Sequence, residues 1–583
     1  MLETGIGFKE KGGRRVTEAR LVGDTGVVSR CRVFCGHYIA PQMGRIASPH
    51  DYACKSALRG VASVVISPRT NERKQPTSHS SFMNNQFQNP SRRRFIKTVS
   101  VAAGAAVFGV PTLLRGANLN GKLNIATIGV MGKGKTDTDL CNSENIVALC
   151  DVDSKLCLEQ REKYPSAKFY QDYRVMFEEM ADGIDAVIVS TPDHFHAVAA
   201  SLALKQGKHV YCQKPLTETV YESRHLRELA RKTGLVTQMG NQGSASDGLR
   251  RAVECIQSGL IGQVHELHVW TNRPIWPQGI GRPAGEDPIP DTLNWDVWIG
   301  PAHMRPYKGE KVYHPFNWRG WLDFGTGALG DMGCHTLNMP FQALNLKDPA
   351  EIEPELVIGG MNTETYPIGS IVRFQFPARQ AAGAAPVRTF QKAAERMMAG
   401  GGASLVPLTM WWYDGGHPVA GENGKHDSSN KPPSHLTEGI IEILGELPRS
   451  GCLMRGSKGQ LFSPDDYGEN FFVKLNGEAK FKHYKKHEAV EAIPQRIQFN
   501  AFQGSTDSRH HLEWIDAIKR NNPGLCRSNF EVGGQLTELI LLGCVALRAG
   551  GKIQWDSARM RVANDPAAAN IIKTDYRAGW NLA

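Results

Sequence analysis

From Lys122 onward the chain alternates short, unbroken apolar runs with longer mixed segments. The runs are Leu123 to Val130, Ile146 to Cys150, Ile184 to Val189, Val210 to Cys212 and Leu235 to Met239. A strand without a polar alternate is one whose sheet is covered on both faces, and the mixed segments between are long enough to be the covering helices. The pattern predicts a doubly wound, Rossmann-type α/β domain over residues 119–243. Beyond it the spacing changes. Gln263 to Thr271, Gly369 to Phe376, Leu408 to Tyr413 and Gly459 to Phe462 read as strands of a large, mostly antiparallel open sheet, so residues 244–583 form a second, α+β domain. Gly534 to Leu547 reads as a helix packed back on the body, where no run of 18 apolar residues argues for a membrane span. A segment rich in Ala, Gly and Arg, about residues 378–406, reads as a surface insertion with a short helix near Phe390 to Met398.

The first 118 residues follow another pattern. Residues 1–82 show no sustained apolar periodicity and read as a disordered or over-extended start, with Met83 an ordinary alternative beginning. Within 83–118, Ser91-Arg92-Arg93-Arg94-Phe95-Ile96-Lys97 precedes an almost uncharged stretch from Thr98 to Leu114, a charged n-region before an apolar h-region. The heptapeptide resembles the twin-arginine export signal, with Arg92 and Arg93 as the pair. That resemblance implies the twin-arginine machinery as a partner and an exported, periplasmic location. Arg115-Gly116-Ala117 lacks the small residue wanted three positions back, so retention by an uncleaved segment stays open.

Charge separates the same two regions. The chain of 583 residues has a formal net charge of +10, but residues 1–118 carry 18 Lys and Arg against six Asp and Glu, and the remainder 50 against 52. A nearly neutral body gives no basic face for nucleic acid. Nine cysteines fall in the body, an odd number without repeated spacing, which argues against a disulfide framework. Cys31, Cys35 and Cys54 upstream have no companions at zinc spacing and are assigned nothing.

The candidate chemistry sits at the ends of the apolar strands. The first runs into Gly129-x-x-Gly132-x-Gly134, a turn through which backbone amides approach a pyrophosphate at a helix N-terminus. Met131 stands where the middle glycine of G-x-G-x-x-G is usual. The second strand ends at Asp151, 22 residues after Gly129, where an acid accepts from the adenosine ribose hydroxyls and repels a 2′-phosphate, favouring NAD over NADP. The third ends in Ser190-Thr191-Pro192-Asp193-His194-Phe195-His196, the fourth in Gln213-Lys214-Pro215, and the fifth leads to Asn241. His194-x-His196 lacks a third ligand, so no metal site is expected. In the second domain Asp331 and His335 stand four apart after a glycine-rich entry; on a helix they share one face, and an imidazole beside a carboxylate suits proton removal from an alcohol.

Taken together, the glycine turn, Asp151, Ser190-Thr191-Pro192-Asp193-His194, Gly207-Lys208-His209-Val210, Lys214-Pro215 and the Asp-x-x-x-His segment resemble the Gfo/Idh/MocA oxidoreductases over about residues 122–583. The resemblance implies an NAD-dependent oxidoreductase acting on a hydroxyl or keto group of a sugar or polyol, and a homo-oligomer. It also implies a cofactor site from Gly129, Val130, Met131, Gly132, Gly134, Asp151, Thr191, Pro192, His194, His196, Gln213, Lys214 and Asn241. By the same resemblance Lys214 contacts nicotinamide ribose and substrate, His335 takes the hydroxyl proton, and Asp331 orients the hydroxyl or His335. The family's usual Glu-Lys-Pro is Gln213-Lys214-Pro215 here. Other readings are an oxidoreductase with permanently held nucleotide, an NAD-dependent glycoside hydrolase using transient oxidation, and a non-catalytic nucleotide or sugar binder. The tryptophans and arginines Trp270, Arg273, Trp276, Arg282, Trp295, Trp298, Trp318, Arg319 and Trp321 suit a carbohydrate face or core packing.

Overall fold

A computed structural model describes residues 121–380 and 404–582, and between Glu10 and Arg30 the backbone of four strands of two or three residues. Those four pair as two antiparallel ribbons, Glu10–Lys11 with Arg14–Arg15 and Arg20–Val22 with Val28–Arg30, inside a unit of residues 1–108. The twin-arginine segment, most of the extension before it and the middle of the expected insertion lie outside the described residues. All that follows concerns the second unit, residues 109–583.

Its first layer is a six-stranded parallel sheet: β1 Asn124–Ile128, β2 Asn145–Cys150, β3 Lys168–Tyr170, β4 Ala186–Val189, β5 His209–Cys212 and β6 Thr237–Met239. The strand order is β6-β5-β4-β1-β2-β3, so the direction of winding reverses between β1 and β4. Ile125, Ala126, Val187, Ile188, Val210 and Tyr211 are all fully buried, which is why these strands show no polar alternation. At the reversal the chain leaves β1 through Gly129, at φ +79°, where an added Cβ would stand 2.7 Å from the Ser190 carbonyl oxygen. Only glycine fits both constraints. Helix α1, Lys133–Leu140, follows the turn; α2, Asp193–Lys205, follows β4; and α3, Val220–Thr233, opens with a reciprocal Thr219/Glu222 capping box.

The second layer is a ten-stranded sheet. In chain order its strands are β7 Val264–Trp270, β8 Glu351–Ile358, β9 Gly369–Phe376, β10 Leu408–Gly415, β11 Gly451–Gly456, β12 Gly459–Ser463, β13 Phe472–Leu475, β14 Lys482–His483, β15 Ile553–Asp556 and β16 Arg561–Val562. They lie side by side as β14-β13-β12-β11-β7-β10-β9-β8-β15-β16, and every pairing is antiparallel except β7 with β10. Val372, Phe374 and Phe376 of β9 are buried on one face, while Arg373 on the other reaches Glu353 and, at 2.6 Å, Glu355. That period of two is the mark of a sheet covered on a single side.

Three helices join the layers. Helix α4, Gly327–Thr336, lies on the long α6, Phe530–Ala549, closely enough that a Cβ on Gly333 would come within 3.0 Å of Ile540. The apolar run expected to begin at Gly534 is a full 20-residue helix, long and apolar enough by length and composition to cross a membrane, though Gln535, Thr537 and Glu538 interrupt its apolar run. It is the core helix: 83% of its apolar window is buried inside the fold, and each fully buried Leu or Ile contributes roughly 1.5–3 kcal/mol. Helix α5, Thr506–Lys519, returns to the parallel sheet, where Trp514, Ile515 and Ile518 share a core with Ile125, Leu149 and Tyr211. Residues late in the chain therefore complete the core of the parallel sheet. All nine cysteines of the described residues are buried and unpaired.

Candidate active site

The glycine turn has the shape its spacing implies. Gly132 caps α1 at φ +55° with nothing within 4 Å of where a Cβ would stand, and a Cβ on Gly134 would fall 1.8 Å from the Gly129 carbonyl oxygen. Met131, in the place of the middle glycine, packs against the core cluster around Trp514. Asp151 closes the turn from β2: Oδ2 accepts from the Val130 amide at 2.9 Å and Oδ1 from the Asp153 amide at 3.0 Å. Burial pushes this carboxyl up and the two amides pull it back. Each oxygen keeps a second lone pair for a ribose hydroxyl, whereas the Val130 amide is already engaged. An open glycine turn ahead of a helix, with an acid at the end of β2, fits a dinucleotide without a 2′-phosphate.

The loops after β4 and β5 are held by one imidazole. His196 is buried, with Nδ1 2.8 Å from the Pro215 carbonyl oxygen and Nε2 2.9 Å from that of Thr191. His194, also buried, faces the carbonyl oxygens of Phe324 at 3.3 Å and Trp298 at 3.1 Å. Burial pushes both rings down to about 4, so each is neutral and donates to one of its two carbonyls. Both rings, expected at the cofactor site, bind backbone carbonyl oxygens on either side of it. Thr191 and Pro192 remain partly exposed at the strand end. Gln213 and Asn241 also turn inward, Gln213 Nε2 donating to Asp137 at 2.7 Å and Asn241 Nδ2 to the Cys334 carbonyl at 2.7 Å.

Lys214, Asp331 and His335 come together in a cavity of about 530 Å³. Lys214 Nζ donates to Asp331 Oδ1 at 2.8 Å and to its carbonyl oxygen at 2.9 Å, and Arg319 Nε lies 3.5 Å from the same Oδ1. Burial would raise the Asp331 carboxyl, but Lys214 and Arg319 hold it below the ordinary range. His335 is one turn further along α4, as the spacing of four expects, and lines the same cavity. Its partner is not Asp331, whose carboxylate is taken by Lys214. The ring packs beside Tyr467 with centroids 5.3 Å apart, and Nδ1 is buried without a hydrogen-bond partner. Burial and the Lys214 charge push His335 down to about 3, so the ring is an unprotonated acceptor at neutral pH.

The cavity also holds residues that the chain pattern does not single out. Phe316, Tyr467, Asp465, Asp466 and Asn470 line it beside Arg273, Trp276 and Arg319. Asp465 folds its own loop by accepting from the amides of Tyr467 and Asn470, each at 3.0 Å, while Asp466 leaves Oδ1 without a partner. Arg319 lies over the rings of Trp318 at 4.3 Å and Phe316 at 4.4 Å. Of the aromatic stretch, Trp295, Trp298, Trp318 and Trp321 form a separate core with Tyr313 and Phe324, and Trp270 is buried in the second sheet. Asp193, buried behind Lys214, is pushed up to about 7 by burial and the Asp331 charge. Among the described residues no group of His, Cys, Asp and Glu could hold a metal ion.

Two family models match this architecture, one described as an oxidoreductase family with an NAD-binding Rossmann fold over residues 123–241, the other as its C-terminal α/β domain over 265–372. Myo-inositol 2-dehydrogenase of Thermotoga maritima is 27% identical over 226 residues, 37% of this chain and 65% of that one. A 1-carboxy-3-chloro-3,4-dihydroxycyclohexa-1,5-diene dehydrogenase of Comamonas testosteroni is 31% identical over 147 residues, 24% of this chain and 36% of that one. The chain thus spans less than two thirds of either relative. An inositol dehydrogenase homolog from Azotobacter vinelandii, solved with NADH and myo-inositol, aligns over 74% of this chain and 98% of that one at 16% identity and a TM-score of 0.47. Residues 123–241 and 265–372 thus match, in order, the two domain models of the Gfo/Idh/MocA oxidoreductases.

Proposed function

We propose that this chain is an NAD-dependent oxidoreductase that oxidises a hydroxyl, or reduces the matching ketone, of a sugar or polyol. The observation that carries the reading is the placement of Lys214, Asp331 and His335 in one cavity at the end of β5, in a parallel sheet whose winding reverses between β1 and β4, the kind of sheet that binds ligands at its strand ends. Gly129, Gly132 and Gly134 would hold the dinucleotide at its pyrophosphate and Asp151 at its adenosine ribose. Bound NAD supplies the hydride acceptor. Lys214 donates to the substrate oxygen from a position fixed by Asp331, and the unprotonated His335 accepts the hydroxyl proton. Trp276, Phe316 and Tyr467 offer ring faces to C–H surfaces, and Arg273, Asp466 and Asn470 offer partners to further hydroxyls.

A panel of sugars and polyols with NAD, followed by the absorbance of reduced nicotinamide, tests this directly. Substrate-dependent reduction is expected with NAD and more weakly with NADP. Release of phenol from an aryl glycoside without net NADH would move the assignment to a glycoside hydrolase, and binding without redox exchange across the panel would sink both catalytic readings.

Export through the twin-arginine route belongs to the same proposal, as does assembly of several copies. Arg92-Arg93 ahead of the apolar stretch supports export, and nine unpaired buried cysteines suit a protein that folds before it leaves the cytosol. Replacing Arg92 and Arg93 together by Lys is expected to hold the protein in the cytoplasm; an unchanged periplasmic fraction in a cell fractionation would refute the route.

A further inference from the structure

Behind the strand ends lies a buried acid that the reaction above does not use. Asp137, on α1, is fully buried. Its Oδ2 accepts from Gln213 Nε2 at 2.7 Å and from Ser190 Oγ at 2.8 Å; its Oδ1 lies 3.2 Å from His511 Nε2 and 3.5 Å from Lys133 Nζ. Ser190 immediately precedes Thr191-Pro192, and Gln213 immediately precedes Lys214. One carboxylate therefore fastens the helix that leaves the glycine turn to the loops after β4 and β5, the second of which carries Lys214 into the cavity. His511 is held in turn, stacked on Tyr211 with centroids 4.4 Å apart and with Nδ1 2.7 Å from the Asp507 carbonyl oxygen.

We propose that Asp137 is a positioning residue for Lys214, acting through Gln213, and that the amide at 213 is required because the carboxylate of the pair sits on α1. The inference rests on the dinucleotide reading above. Burial alone would raise the Asp137 carboxyl, yet His511 and Lys133 hold it below the ordinary range, so it is ionised. A glutamate at 213 would bring a second buried carboxylate to hydrogen-bonding distance of the first, and two such groups cannot both stay ionised. An amide donates instead, and the end of β5 is fixed without repulsion. This accounts for the departure from Glu-Lys-Pro in terms of a neighbour far away in sequence.

The test uses the full chain and three variants: Asp137→Asn, Gln213→Glu, and the two combined. Each single substitution is expected to weaken NAD affinity by calorimetry, and to lower kcat on a substrate from the panel, by about tenfold, the scale of a lost hydrogen bond to a charged group. The combined variant rebuilds the carboxylate–amide pair in reverse and is expected to return within about threefold of the unmodified protein, as coupled sites do in a double-mutant cycle. A purely structural role would lower the melting temperature and leave the kcat of the folded fraction alone. Losses that simply multiply in the combined variant, or singles within about twofold of the parent, overturn the proposal. If Asp137→Asn does not fold, Ser190→Ala decides: it removes one hydroxyl and no charge, and unchanged NAD affinity and kcat would be fatal. A parent protein that binds no NAD overturns the functional reading and this inference together, whereas NAD binding that is indifferent to the swap overturns this inference alone.

Discussion

Lys214→Met is expected to lower turnover about 1,000-fold, the loss seen when a preorganised donor to a developing negative charge is removed. The ammonium is fixed before any substrate arrives, by two bonds to Asp331 at 2.8 and 2.9 Å, so its alignment costs nothing during the reaction. Removing it also changes what remains. Lys214 is the leading charge holding Asp331 down, and after burial it is the largest influence lowering His335. Without it both groups rise. For His335 the sign is definite: a ring pushed down to about 3 is unprotonated through the whole neutral range, and its protonated form becomes populated only in strong acid. In the variant that boundary moves up toward the ordinary imidazole value of ~6.5, so the acid side of the residual pH–rate profile moves to higher pH. An acid limb in the same place for both proteins would show that Lys214 does not govern His335, whatever the turnover.

His335→Asn is expected to cost at least ~100-fold in kcat, the lower end for loss of a general base, while NAD affinity stays within about twofold. The asymmetry follows from position. His335 lies on α4 of the second domain, apart in the chain from the glycine turn and Asp151, and leaves Nδ1 unpartnered. Its neighbour Tyr467 contributes ring packing that an asparagine of smaller volume would partly release. Stopped-flow traces with NAD and a panel substrate separate the two quantities. Turnover like that of the parent would remove His335 from the proton path.

The two halves of the candidate site differ in how legible they are along the chain. The turn at Gly129 to Gly134, Asp151 at the end of β2 and Thr191-Pro192 at the end of β4 follow from strand ends and glycine spacing, because their geometry is local. Asp331 and His335 also declare themselves by helical spacing, although the bond between Asp331 and Lys214 spans 117 residues and has no local signal. The partners of His194 and His196 are equally hidden in the chain. In the chain they are two polar rings in a loop next to ligand-bearing residues; in the fold they start a buried helix and face carbonyl oxygens from Pro215, Trp298 and Phe324. Asp465, Asp466 and Tyr467 leave no pattern at all, since the loop after β12 has neither periodicity nor spacing to mark it.

What the sequence by itself determined is the class of each layer and the groups that are candidates for the chemistry. Unbroken apolar runs can only be strands covered on both faces, alternating ones are covered on one, and φ above zero at a tight turn selects glycine. Tertiary structure alone decided the partners: which carboxylate meets Lys214, that α5 returns to cover the parallel sheet, and that Gln213 faces Asp137 rather than the cavity. Local preference acts over a few residues, whereas charge pairing and burial act over a few ångströms, and residues joined by one hydrogen bond here lie as far as 375 positions apart in the chain.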